Sequence, residues 1–300
     1  MVVMMRFMVA ILLSGFCSIL GCKGPASSDS GQEVTPPILS SLVFEEISAG
    51  DHHVCGRSLT GEVYCWGVND DGQSVNPSGM YISLASGADH SCAVDEQGFA
   101  YCWGGDWSGQ ASPFGSEYRA VAAGNWHSCA LRDSGEVRCW GDDSRDQVSA
   151  PSDLILQSLS AGYWHNCGID AQGALVCWGD NGAGQANAPE GVFSEVCAGL
   201  AHSCGLTESG TVQCWGDNGS GQSEAPEGIF TALGCGQEHT CAVAEEGSIQ
   251  CWGDNGADQS EPPVGSFVGV TGGQLHSCAI REDGHVQCWG SNEDSQSTPP

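Results

Sequence analysis

The stretch HSCGLTESGTVQCWGDNGSGQ, residues 202–222, is one of seven near-copies that tile the chain from about residue 38 to its end. The first cysteine of each copy falls at Cys55, Cys92, Cys129, Cys167, Cys204, Cys241 and Cys278. A second follows ten residues later, at Cys65, Cys102, Cys139, Cys177, Cys214, Cys251 and Cys288. A period of 37 or 38 residues sustained seven times marks a repeat architecture, whose units bury a core only by stacking. The 44 glycines and 12 prolines suit short strands joined by tight turns.

Residues 194–226 show what one unit builds. A strand over 194–198 ends at Gly199, two variable residues lead to His202, and a second strand runs to about Thr207. Glu208-Ser209-Gly210 reads as a three-residue hairpin loop with glycine where the chain turns left-handed. A third strand over Thr211–Trp215 enters a Gly/Asn/Asp-rich loop, and a short fourth strand is expected near Gln222–Glu224, stopped by Pro226. With Thr207 opposite Thr211, Leu206 meets Val212 and Cys204 meets Cys214. That is a non-hydrogen-bonded pair, within disulfide reach. The other six copies carry glycine at the same loop position, so seven hairpin disulfides are expected. Zinc, the rival use, favours close C-x-x-C pairs, and the chain has none. Cys197 lies seven residues before Cys204, whereas Cys235 lies six before Cys241. Successive strand residues point to opposite faces, so this one-residue offset lets the two meet across neighbouring repeats, and a disulfide between them is expected.

Four short antiparallel strands in each of seven units describe an all-β, seven-bladed β-propeller. The tryptophans that follow the second cysteine of each unit read as packing between blades. The recurrent glutamines (Gln73 to Gln296) are expected to satisfy backbone groups where the chain turns, and the histidine of each G-x-x-H to act as a hydrogen-bonding strut rather than a metal ligand. The pattern G-x-x-H-S-C-A-L…G-x-V-x-C-W-G-D-N-x-x-G-Q resembles the regulator of chromosome condensation repeat family over essentially everything after residue 38. Its cysteine pairs are similar to those of exported bacterial members. The resemblance implies the propeller fold. Through secreted β-lactamase-inhibiting members of the superfamily it also implies a loop face that binds a protein.

Arg6 precedes an apolar run, Phe7–Leu20, of signal-peptide length and too short to span a bilayer. Ile19-Leu20-Gly21-Cys22 resembles the lipobox of bacterial lipoproteins. It implies a signal peptide over 1–21, a lipid on Cys22 and, with Lys23 next, the outer membrane or cell surface; secretion after ordinary cleavage is the alternative. Residues 22–37 read as a flexible tether rich in Ser, Gly and Pro, and 38–300 as the propeller, expected to be monomeric. The formal charge is −29, and the repeats hold six arginines and no lysine. Such a surface repels a phosphate backbone, which excludes nucleic acid.

The two residues inside each G-x-x-H vary while their surroundings repeat: Asp51-His52, Ala88-Asp89, Asn125-Trp126, Tyr163-Trp164, Leu200-Ala201, Gln237-Glu238 and Gln274-Leu275. They are expected on one face with the W-G-D-N loops. Trp126, Tyr163 and Trp164, extended by Trp107, are candidates for one aromatic patch. Asp51, His52, Asp89, Asn125, Gln237 and Glu238 complete the candidate partner surface. Loops such as Asp180-Asn181-Gly182 lack the carboxylate series of calcium sites, and no nucleophile–base pair or phosphate-cradling loop stands out. The expectation is a non-enzymatic, lipid-anchored propeller without cofactor or metal that binds a protein or glycan. The alternatives are an enzyme at the central channel, for which Asp51, His52, Asp89 and Glu238 are the candidates, and a purely structural envelope protein.

Overall fold

A computed structural model describes residues 42–300; the expected signal peptide, the lipidation site Cys22 and the tether lie outside them. Seven separate antiparallel sheets follow one another along the chain, each in the order first, second, third strand. In blade 1 these are Phe44–Ala49, His53–Ser58 and Val63–Gly67. The hairpin register follows from the turn: Gly210 takes φ +84°, Leu206 pairs with Val212, and Cys204 with Cys214. Seven hairpin disulfides bring opposed Cα atoms to 4.0–4.1 Å, the close spacing of a non-hydrogen-bonded pair.

Each blade has three strands, not the expected four. The segment Gln222–Glu224 is a turn and loop, because its amides are taken up locally. The Ser223 amide bonds Asn218 Oδ1, and the Glu224 amide bonds the Gly221 carbonyl. No row of free donors is left to add a ladder. Gln296–Thr298, the equivalent segment of blade 7, is likewise a turn.

The first strands are innermost. All seven line a central cavity of about 330 Å³. The core lies between blades; one cluster joins Cys204 and Leu206 of blade 5 to Phe230, Leu233 and Ala242 of blade 6. Polar strand residues stitch these seams. Ser48 Oγ accepts from the Ser86 amide (2.8 Å), Ser160 Oγ from the Ala198 amide (3.1 Å), and Thr271 Oγ1 from the Ala49 amide (3.2 Å). Cys197 stands in the register of Ser48 and Ser160, opposite the first hairpin cysteine, and Cys235 stands in the register of Ser86 and Ala198. The structure joins these two cysteines. A covalent link thus occupies the place where other seams use a hydroxyl-to-amide hydrogen bond.

A second seam network explains the recurrent His, Trp and Gln. Gln222 Oε1 accepts from the Ser220 amide and its Nε2 donates to Asp217. Its carbonyl receives Trp252 Nε1 and Thr240 Oγ1 from the next blade. Because the Thr240 hydroxyl donates there, it accepts from His202 Nε2–H at 2.9 Å, which fixes the neutral Nε2–H tautomer. Asn166 gives the same answer: its Nδ2 donates to the Gln147 carbonyl, so its Oδ1 receives His127 Nε2–H. The glycine of G-x-x-H is required by close approach. A Cβ on Gly124 would collide with the His127 imidazole and the Gly162 carbonyl.

The ring closes by seam contacts between blades 7 and 1, with Phe44 N donating to Gly284 O (2.8 Å) and Trp66 Nε1 to Gln296 O (2.9 Å). This seam lacks one bond. His276 Nε2 is buried without a partner, because blade 1 carries Val54 where the other blades carry Ser, Thr or Asn. Val54→Thr would install the Thr240 arrangement. It should raise stability by about 1–2 kcal/mol, or about 3–6 °C in Tm for a domain of this size. A lower Tm would show that the Val54 methyls matter more than the orphaned imidazole.

Candidate functional site

The G-x-x-H turns and the loops after the third strands share one face, because each loop returns to the turn of its own blade. Gly105 N donates to Asp89 O (2.7 Å), Asp142 N to Trp126 O (2.7 Å) and Asp180 N to Trp164 O (2.9 Å). The two variable residues of each turn part company. In six of the seven pairs the first residue lines the mouth of the central channel, a space of about 80 Å³; Asp51, Asn125, Tyr163 and Gln237 stand there with Ala88 and Leu200, while the seventh turn contributes Gly272 and Gly273. A belt of backbone bonds holds them, for example Tyr163 N to Gly199 O (3.0 Å) and Leu200 N to Gln237 O (3.0 Å). The second of each pair turns outward, and Trp126 and Glu238 are exposed.

The aromatic residues do not merge into a single stack. Tyr163 and Trp164 meet edge to face at 4.6 Å. Trp164 is half-buried beneath the Arg145 guanidinium, 5.4 Å from the ring centroid, which also pairs with Asp180 at 2.7 Å. Trp126 (43% exposed) and Trp107 (65% exposed) stand apart as open rings, with Trp107 folded over Gly105. His52 faces Asp294 at 3.5 Å, and Glu238 accepts from Ser220 Oγ at 3.3 Å. Sequence reading passed over Arg145. Its signal was the departure of G-D-D-S-R-D-Q from the G-D-N-G-x-G-Q of the fourth and fifth copies. Arg145 is the one arginine in these loops; the other five lie near the strand ends opposite the turns.

Burial pushes the Asp51 carboxyl up to about 6, helped by the Asp89 charge and partly offset by the facing Gln237 amide and by His52. Burial, then the Asp51 and Asp89 charges, push the Tyr163 hydroxyl up to about 12. Burial and the Asp71 charge raise Asp89 as well. At the other end of the channel, burial raises Glu195 to about 7. Its register partner is Leu206, whereas the equivalent Glu46 pairs with Arg57 at 2.8 Å. The grouping of His202, Cys204 and Cys235 resembles a metal set, but both cysteines are spent in disulfides.

The repeat model described as "Regulator of chromosome condensation (RCC1) repeat" matches seven times, at residues 44–73, 81–110, 118–147, 157–185, 193–222, 230–259 and 267–296. A search of the curated proteins found no match. Among solved structures, the chain is similar to the ectodomain of the Physcomitrella patens receptor kinase CR4, with 27% identity, a TM-score of 0.72, and 83% of this chain and 74% of that one covered. It is similar to the CRINKLY WD40 ectodomain of the Arabidopsis thaliana receptor kinase ACR4, with 26% identity, a TM-score of 0.71, and 83% and 98% covered. Prp20p of Saccharomyces cerevisiae, reported with its binding properties to Gsp1p and histones, shares the fold at 17% identity and a TM-score of 0.67, with 84% and 83% covered. Eight disulfides and ectodomain neighbours mark an exported chain matured in an oxidising compartment.

Proposed function

The chain belongs to the Regulator of chromosome condensation (RCC1) repeat family, and from that premise we propose a non-enzymatic, lipid-anchored propeller at the cell surface that binds a protein through its turn-and-loop face. The observation that carries the reading is the placement of non-repeating aromatic rings, Trp107 and Trp126 open and Trp164 capped by Arg145, on one face of an otherwise uniform ring. Open tryptophans rimmed by acids suit a partner with basic and apolar surface. The anchor rests on the lipobox ending at Cys22. A raised carboxyl at Asp51 is what an acid–base site at the channel would need. Among the described residues no imidazole is hydrogen-bonded to it to complete one.

Affinity capture from an envelope extract, followed by mass spectrometry, tests the reading. Trp126→Ala with Trp164→Ala should weaken capture by at least about 100-fold while Tm stays nearly constant. Undiminished capture would sink this surface, and recovery of glycan alone would replace a protein partner with a saccharide.

A further inference from the structure

The mouth of the central channel differs from the rest of the face in being built yet unused. Asn125 is 4% exposed, lines the channel mouth, and makes no side-chain hydrogen bond among the described residues. Gln237 faces the Asp51 carboxyl, but its buried Nε2 reaches no acceptor at hydrogen-bond distance, and half a turn of that amide presents Oε1 in its place. The same space is lined by Asp51 and Tyr163, with methyl groups from Ala88, Ala123, Ala161 and Leu200. Buried polar groups without partners are costly unless something arrives to use them. The chemistry they share is a single carboxylate ringed by amide and hydroxyl oxygens over a small apolar collar.

We propose that this mouth is a receptor for one primary ammonium group, the side-chain end of a lysine presented by the protein partner. The Asp51 carboxylate is the counter-ion, Asn125 Oδ1 and Gln237 Oε1 accept the remaining N–H bonds, and the collar covers the methylene stem. A volume near 80 Å³ has room for an ammonium and its first methylenes. One lining carboxylate matches one positive charge, whereas a calcium ion takes six to eight oxygens and usually several carboxylates. The acidic face would steer such a side chain toward the axis. The inference deepens the protein-binding reading and rests on it for the source of the lysine.

The test needs no partner. Nα-acetyl-lysine methylamide is titrated into the full chain at pH 7.5 while the side-chain amide signals of Asn125 and Gln237 are followed by NMR, with the norleucine analogue as control. The expected result is a saturable shift of both signals with the lysine probe alone. Asp51→Asn should weaken it by about tenfold, the loss of a charge-assisted hydrogen bond. Gln237→Leu, which keeps the Asp51 charge, should weaken it as well. Absence of a saturable shift, an unchanged shift in Asp51→Asn, or a response to calcium but not to the amine would each overturn the assignment. Failure here leaves the outer tryptophan surface standing. Loss of partner capture with the amine response intact would instead remove the protein-binding reading and leave the receptor in place.

Discussion

Near pH 5.5 unfolding of this ring should take up roughly five protons, so that stability falls by roughly 6–7 kcal/mol per pH unit on acidification. The cause is the seven strut histidines, each fully buried and held neutral between blades. Burial is the first cause in every case. It lowers His53, His90, His165, His202 and His276 to about 3, and His127 and His239 to about 4. In the unfolded chain they return to near 6.5. Between about pH 4 and 6.5 the unfolded state therefore binds more protons than the folded one. Their contribution is fully present above pH 6.5 and is lost as pH falls below it. Glu195, raised to about 7, and Asp51, raised to about 6, act with the opposite sign. Each binds a proton in the folded ring that the unfolded chain gives up, which cuts the uptake from near seven to near five. Urea unfolding from pH 7.5 to 4.5 reads the slope directly. His90→Gln should lower the uptake by about one, since one strut no longer titrates. A slope of only one or two protons would mean that the imidazoles are not held dry.

What the sequence showed and what it hid divide along chain distance. Hairpin register, turn glycines and the cysteine pairs are set within ten residues, so a three-residue turn sufficed to read them. The propeller followed from the period. The expected fourth strand does not form because side chains in the loop before it, such as Asn218 Oδ1, capture the amides a ladder would need, and nothing in Gln222-Ser223-Glu224 itself announces that capture. The two variable residues of each turn were read as one unit. Their division, Asn125 into the channel and Trp126 into solvent, depends on which strand is innermost, and a repeat does not reveal that. Arg145 over Trp164 joins residues of neighbouring blades and has no local signature. The Cys197–Cys235 offset was readable because strand alternation alone dictates facing. That the link stands in for a hydroxyl seam emerges only beside Ser48 and Ser160.

Reduction of the disulfides should abolish folding of the ring. Seven links close hairpins of sequence separation 10 and one spans 38 residues between blades. At about 2–4 kcal/mol each, their sum exceeds the 5–15 kcal/mol by which a domain is stable, even if the turns already restrain each hairpin. The first cysteine of every hairpin is wholly buried, so reductant added to the native ring meets kinetic protection. The decisive form is to unfold, reduce, alkylate and dilute, then follow tryptophan emission and far-UV dichroism. Each tryptophan that follows a hairpin cysteine donates to the glutamine carbonyl of the neighbouring blade, so its emission reports ring assembly and not hairpins alone. The alkylated chain should stay unfolded in conditions where the oxidised chain refolds. Recovery of a cooperative transition within a few degrees of the native Tm would refute the dependence. The link between blades can be calibrated separately. Cys197→Ser with Cys235→Ala recreates the Ser160-to-Ala198 seam, exchanging a cross-link worth about 3–4 kcal/mol for a hydrogen bond worth about 1 kcal/mol. The net loss, about 2–3 kcal/mol, should lower Tm by about 5–10 °C and leave a folded ring, because three other seams already stand on hydroxyls alone.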